Sequence, residues 1–176
     1  MRFLHVRRHT YTKKGEERGR GSHISQEGVD LARRVAQDLP AITLAVVSAA
    51  PRTLETAIAF GFAPIDAISY PDITEDTGIA FHEWWDMEQP FVRMRQLLET
   101  NDAVARVANV VTDAWRSVLD RLADGERALL IAHGGVMELG VAASIAATEG
   151  RAFAHCEGFE LSYEDGVATD VQLLRL

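Results

Sequence analysis

A short apolar run that begins two residues into the chain ends in Val6-Arg7-Arg8-His9-Thr10, and this hand-over from strand-like sequence to cations and an imidazole constrains the fold more than any other stretch. A second run, Ala128-Leu129-Leu130-Ile131-Ala132, ends the same way in His133-Gly134-Gly135. A third, Leu44-Ala45-Val46-Val47-Ser48, is followed by Pro51-Arg52 and an amphipathic segment. In an open α/β sheet the carboxyl ends of neighbouring strands form the crevice where ligands bind. Two histidines and two arginines then face one cleft, the composition of an anion site.

The remaining pattern supports such a sheet. Residues 2–7 read as the first strand and residues 10–23, with scattered glycine and charge, as a loop. Ser25 is placed as the N-cap of a helix to about residue 39, with Val29, Ala32, Val35, Ala36 and Leu39 on one face, stopped by Pro40. Residues 43–48 form a buried parallel strand, and Pro51 opens a helix through residue 60 that carries Arg52 near its start. A short strand over 65–70 is broken by Pro71-Asp72. Residues 73–90 concentrate Phe81, Trp84 and Trp85 among acidic side chains and are expected to build a cleft wall or lid. A helix over 102–123 follows from the stripe Val104, Val107, Val111, Trp115, Val118 and Leu122, and a central strand over 127–132 from the run described above. Gly140, Ala142, Ala143, Ala146 and Ala147 mark a closely packed helix after Gly135. Phe159, Leu161 and Tyr163 alternate with polar residues, and Asp165-Gly166 turns the chain into a return strand. Strands alternating with helices and closed by an antiparallel hairpin predict a single α/β domain over 1–176, with a three-layer architecture and a mostly parallel central sheet flanked by helices.

Composition narrows the partners. A net charge of −8 leaves no broad basic face for nucleic acid, so any anion site must be local. Arg7, Arg8, Lys13, Lys14, Arg18 and Arg20 crowd residues 7–20 and read either as part of that site or as a solvated basic loop. One cysteine, Cys156, excludes an internal disulfide framework and fits a structural role in a reducing compartment. No stretch approaches the roughly 20 apolar residues of a membrane span, and no signal peptide is evident, so a cytoplasmic protein without membrane or nucleic-acid partners is expected. Oligomeric state is left open.

A neutral imidazole at a strand end is a competent nucleophile toward phosphorus when a positive field holds the phosphoryl group against it. Arg8 is adjacent to His9, and Arg52 arrives from a neighbouring strand end; guanidinium groups bind phosphate oxygens through paired hydrogen bonds and keep their charge. His133 precedes a helix N-terminus opened by glycines, where backbone N–H groups and the dipole favour an anion. Singly, each residue has a plainer reading as a hydrogen-bonded histidine or a surface arginine; their placement after three separate strands is what joins them. Metal binding is the rival use of six histidines, but zinc sites pair their ligands at short spacing, His82-Glu83-Trp84-Trp85-Asp86 lacks a second histidine, and no metal site is expected. A serine hydrolase is poorly supported because no Gly-x-Ser-x-Gly elbow is present.

Taken together, these segments resemble the histidine phosphatase superfamily, the phosphoglycerate mutase-like proteins, over nearly the whole chain. Arg8-His9 resembles the Arg-His-Gly signature; Ile24-Ser25 with Gly28 and Ala32 resembles the Leu-Thr-x-x-Gly-x-x-x-Ala helix opening. Ser48, Arg52, Thr56 and Ala57 match the Ser-x-x-x-Arg-x-x-x-Thr-Ala segment, and His133-Gly134-Gly135 resembles the turn of the second histidine. The resemblance implies that His9 accepts the phosphoryl group as a phosphohistidine, that Arg8, Arg52, His133 and Gly134 surround it, and that a carboxylic acid, Glu75 or else Glu83, protonates the leaving oxygen. Two positions depart from the pattern. Arg7 stands where the family is usually apolar. Thr10 replaces the signature glycine, so that it either donates to a phosphate oxygen or strains the loop. The expected activity is hydrolysis of a phosphomonoester or phosphohistidine, on a phosphorylated small molecule or a phosphoprotein, with no cofactor. The alternatives are a catalytically weak phosphate-binding or protein-interaction module on the same scaffold and, less so, mutase-like phosphotransfer.

Overall fold

A computed structural model describes residues 1–13, 21–145 and 148–176. Lys14, Arg18 and Arg20 of the basic loop, and Ala146 and Ala147 of the small-residue stretch, lie outside them. In chain order the elements are β1 (Arg2–Arg8), α1 (Gln26–Ala36), β2 (Leu44–Ser48), α2 (Pro51–Ala59), β3 (Asp66–Ile68), α3 (Ile73–Thr77), α4 (Phe81–Trp84), α5 (Pro90–Thr100), α6 (Asp102–Leu119), β4 (Arg127–Ala132), α7 (Val136–Ser144), β5 (Gly158–Glu164) and β6 (Val167–Leu174).

Among the described residues the strands form one six-stranded sheet in the order β3-β2-β4-β1-β5-β6. The first four run parallel, while β5 is antiparallel to both β1 and β6. Two apolar layers enclose the sheet. Ala45, Val47, Leu129 and Ile131 meet Ala32 and Val35 of α1 and Ala57 of α2 on one face. Leu4, Val6, Val46 and Leu130 meet Val111, Trp115 and Val118 of α6 and Met137 and Val141 of α7 on the other. Burying a large aliphatic side chain contributes about 1.5–3 kcal/mol, so these two layers are what hold the strand ends in place. This is the expected single α/β domain with its mostly parallel sheet and C-terminal hairpin. No helix among the described residues is long and apolar enough to cross a membrane.

The helix signals act as their chemistry requires. Ser25 Oγ accepts from the Gly28 amide at 3.1 Å, Pro51 sits in the first turn of α2, and Asn101 Oδ1 accepts from the amides of Ala103 and Val104 at the start of α6. The hairpin turn takes positive φ at Asp165 and Gly166, as a two-residue turn needs. The whole stripe expected for the long helix is buried, but the helix ends at Leu119 and Leu122 packs from the turn beyond it. The strand expected over 65–70 keeps only Asp66–Ile68, because β3 is an edge strand paired on one side. Helix α5 is not among the elements expected from the sequence. Its apolar residues Phe91, Met94 and Leu97 are buried, whereas Arg93 and Arg95 interrupt the run and obscure its period.

Candidate active site

The strand order decides the site. Because β4 lies between β2 and β1 and all three are parallel, His133 emerges between Arg52 and the Arg8-His9 pair on one edge of the sheet. The imidazoles of His9 and His133 lie 5.4 Å apart between ring centroids, near a T-shape. Arg52 Nη2 donates to His133 Nδ1 at 3.1 Å, and Arg52 Nη1 donates to Ser22 Oγ at 3.2 Å. Arg8 Nη1 donates to the Phe153 carbonyl at 2.5 Å, and its guanidinium passes so close to Gly134 that a Cβ there would meet Arg8 Cζ at 3.3 Å. His9, Arg8, Arg52, His133 and Gly134, expected from distant parts of the chain, are therefore brought together.

Hydrogen bonding fixes the proton on each ring. A carbonyl oxygen only accepts, so the 2.8 Å contact between His9 Nδ1 and the Thr10 oxygen places the His9 proton on Nδ1 and leaves a lone pair on Nε2. Arginine only donates, so the neutral His133 ring carries its proton on Nε2, suited to bond an anionic oxygen. Burial, reinforced by the nearby His133, Arg52 and Arg8, overrides the Thr10 bond and drives the His9 pKa down to about 2. The ring is thus neutral throughout the physiological range. Burial likewise lowers the pKa values of Arg8 and Arg52, which still leaves both charged. Among the described residues no three His, Cys, Asp or Glu side chains converge as metal ligands do.

Thr10 is placed differently from the expectation that it binds phosphate. It is fully buried, its hydroxyl donates to the Gly28 carbonyl at 2.9 Å, and its amide donates to Thr56 Oγ1 at 3.2 Å. Both donors are engaged inside the protein and Thr10 is not among the described residues with positive φ. Gly28, where an added Cβ would sit 2.4 Å from the Tyr11 carbonyl oxygen, is what lets this backbone pass over α1.

Beside Arg52 and His133 opens a crevice of about 320 Å³, lined also by Ser48, Tyr70, Asp72 and Thr74. The two carboxylates expected as proton donors are not among its lining residues. Glu75 is exposed in the first turn of α3, next to Thr74. Glu83 borders a separate hollow with His82, Trp85 and Arg93, where its Oε2 accepts from the Ala80 amide. Residues 73–90, expected to build a cleft wall or lid, hold α3 and α4; the start of α3 lines the crevice through Ile73 and Thr74, beside Asp72, whose Oδ1 caps that helix by accepting from the Thr74 and Glu75 amides. Among the described residues two buried side-chain polar atoms, Ser48 Oγ and Arg8 Nε, have no hydrogen-bond partner.

One residue of the site escapes sequence reasoning. The His155 ring lies 5.3 Å from that of His9, and its Nδ1 donates to the His9 carbonyl at 3.0 Å. Only the pairing of β5 with β1, which sets Gly158 opposite Arg7, brings residues before β5 alongside residues after β1. No local motif announces it.

No family model matches this sequence, and no curated protein matches it. Solved structures do match in fold. A phosphoglycerate mutase from Bacillus anthracis superposes with a TM-score of 0.69 at 15% identity, over 98% of this chain and 92% of that one. Bacillus stearothermophilus YhfR gives 0.68 at 20% identity over 96% and 95%. A mycobacterial glucosyl-3-phosphoglycerate phosphatase gives 0.65 at 18% identity over 99% and 98%. The chain has the fold of these phosphoglycerate mutase-like structures.

Proposed function

We propose that the protein is a phosphohydrolase that works through a phosphohistidine on His9. The observation that carries the reading is a buried, neutral imidazole whose Nδ1 proton is held by Thr10, beside an Arg52–His133 pair and Arg8. Nε2 of His9 attacks phosphorus, and the bond to the leaving group breaks with its electron pair. The leaving group takes a proton, with Glu75, the neighbour of crevice-lining Thr74, as the donor of choice. Water then attacks the phosphohistidine, the P–N bond breaks, and inorganic phosphate leaves with His9 neutral again. Arg8, Arg52 and the Nε2–H of His133 stabilise charge on the transferring oxygens. Similar folds carrying phosphatase and mutase names support phosphoryl chemistry in general. A crevice of about 320 Å³ favours a small phosphorylated molecule or an exposed phosphorylated side chain.

His9→Ala is expected to abolish hydrolysis of p-nitrophenyl phosphate, with the phosphoenzyme trapped on wild type absent from the variant. An unchanged rate in the variant refutes the nucleophile assignment. The binding-module reading drew on Thr10; a wild type that binds vanadate but turns over no member of a phosphate-ester panel would support it.

A further inference from the structure

We propose that His155 is a positioning residue for His9, fixing the peptide plane from which the nucleophile is aimed; the inference rests on the reading of His9 as nucleophile. The Nδ1–H of His9 bonds to the carbonyl of Thr10, the next residue in the chain. That bond orients the ring only relative to its own backbone, so the aim of Nε2 is as firm as the backbone beneath it. The peptide plane joining His9 to Thr10 is held at both ends: its N–H donates to Thr56 Oγ1 and its carbonyl accepts from His155 Nδ1. His155 is thus the side-chain counterpart of Thr56 on the plane that carries the nucleophile.

His155 is itself rigidly placed. Its ring is wedged between His9, at 5.3 Å, and Tyr11, at 4.7 Å between centroids. Cys156, buried and left-handed at φ 61°, turns the chain so that its amide reaches the Arg8 carbonyl at 3.1 Å, while the Arg8 amide donates to the Glu157 carbonyl at 2.8 Å. Glu157 anchors the segment: its carboxylate accepts from both Arg151 nitrogens at 2.7 Å, from Arg175 at 3.0 Å and from the Ala154 and Leu176 amides. Burial lowers the His155 pKa despite the His9 bond, with Arg8 adding to the effect, so the ring stands neutral with its proton on the nitrogen that faces the carbonyl. In-line attack tolerates little misplacement: a shift of about 1 Å can lower a rate about 100-fold.

The test compares His155→Leu, which keeps bulk and removes the donor, with His155→Asn, whose amide nitrogen falls close to the lost Nδ1. Leucine is expected to lower kcat for p-nitrophenyl phosphate about 10- to 100-fold with KM within about two-fold; asparagine is expected to restore kcat to within about three-fold of wild type. Nitrogen-15 NMR of the His9 ring supplies a readout that needs no turnover: a single Nδ1–H tautomer in wild type and in His155→Asn, and averaged tautomers in His155→Leu. The proposal is overturned if the leucine variant keeps both rate and tautomer, or if asparagine falls as far as leucine, which would assign the role to Nε2. A wild type without phosphatase activity defeats the proposed function alone, since the NMR comparison still decides whether His155 orders His9.

Discussion

Arg7 and Arg8 are consecutive on β1, and the alternation of a strand sends their side chains to opposite faces of the sheet. On one face Arg7, buried, donates through Nε to His5 Nε2 at 3.0 Å and through Nη1 to the Cys156 carbonyl at 3.0 Å. His5 Nδ1 in turn donates to Glu160 at 2.9 Å, and Glu160 takes both nitrogens of an Arg127 fork at 2.7 and 3.0 Å. Every link in that chain is closed by the protein. On the other face Arg8 continues the apolar row Leu4, Val6, bonds one carbonyl, and keeps Nε buried and unpaired; Ser48, two residues on from Val46, leaves its hydroxyl unpaired on the same side. A buried polar group without a partner is destabilising. The contrast separates a cation whose bonds the protein closes from one whose guanidinium it leaves partly unpaired.

The sharpest way to break the comparison is to exchange the two losses. Arg8→Met is expected to weaken vanadate binding and turnover at least about 100-fold while the melting temperature moves by only a few degrees. Arg7→Met is expected to leave turnover within about five-fold and to lower stability by about 1–3 kcal/mol, because His5 Nε2 and the Cys156 carbonyl lose their donor. Denaturant unfolding and steady-state kinetics on both variants decide it, and the reverse pattern would mean that the faces have been assigned the wrong way round.

A smaller effect should appear with pH. Burial alone would raise the Glu160 pKa, but the bonds from His5 and Arg127 outweigh it and hold the carboxyl at about 2, against 4.5 for an ordinary glutamate. Burial lowers the His5 pKa from 6.5, although Glu160 opposes it. Both groups bind protons more readily when unfolded, so each contributes stability that is complete above its unfolded pKa and is lost as pH falls through its folded pKa. Stability should therefore decline below about pH 6.5 and more steeply from about 4.5 toward 2. In Glu160→Gln the part of that slope between about 4.5 and 2 should shrink; an unchanged slope would show that the closed network carries no such linkage. The smallest change is expected for Ser48→Ala, which removes an unpaired hydroxyl and should leave stability unchanged or raise it by up to about 1 kcal/mol. A clear loss of stability there would show that the hydroxyl has a structural partner after all.

How much of this was legible depended on whether a residue announces its own place. The strands β1, β2 and β4 and the stripe of α6 are visible because burial imposes a period, and His9, Arg52 and His133 stand out because they break it. Glycine and aspartate at the hairpin mark their own turn. Helix α5 is hidden by arginines set among its buried residues, and the choice of proton donor stays between Glu75 and Glu83 because neither is among the residues that line the crevice. Arg7 looked like a fault in an apolar strand; its partners His5 and Cys156 become neighbours only through the register of β1 and the backbone turn before β5. His155 is the same case, since the pattern specified the hairpin of β5 and β6 but not that β5 would lie along β1.

The insertion of β4 between β2 and β1 also sets a timetable for synthesis. A ribosome delivers the first two of these strands long before the third, and the gap between them has no wall until the chain extends past residue 133. Contacts so remote along the chain close late because of the entropy of the intervening loop. The nascent protein therefore passes through most of its assembly with His9 in place but without the strand that carries His133 up to it, and the pair of imidazoles meets only when the sheet is complete.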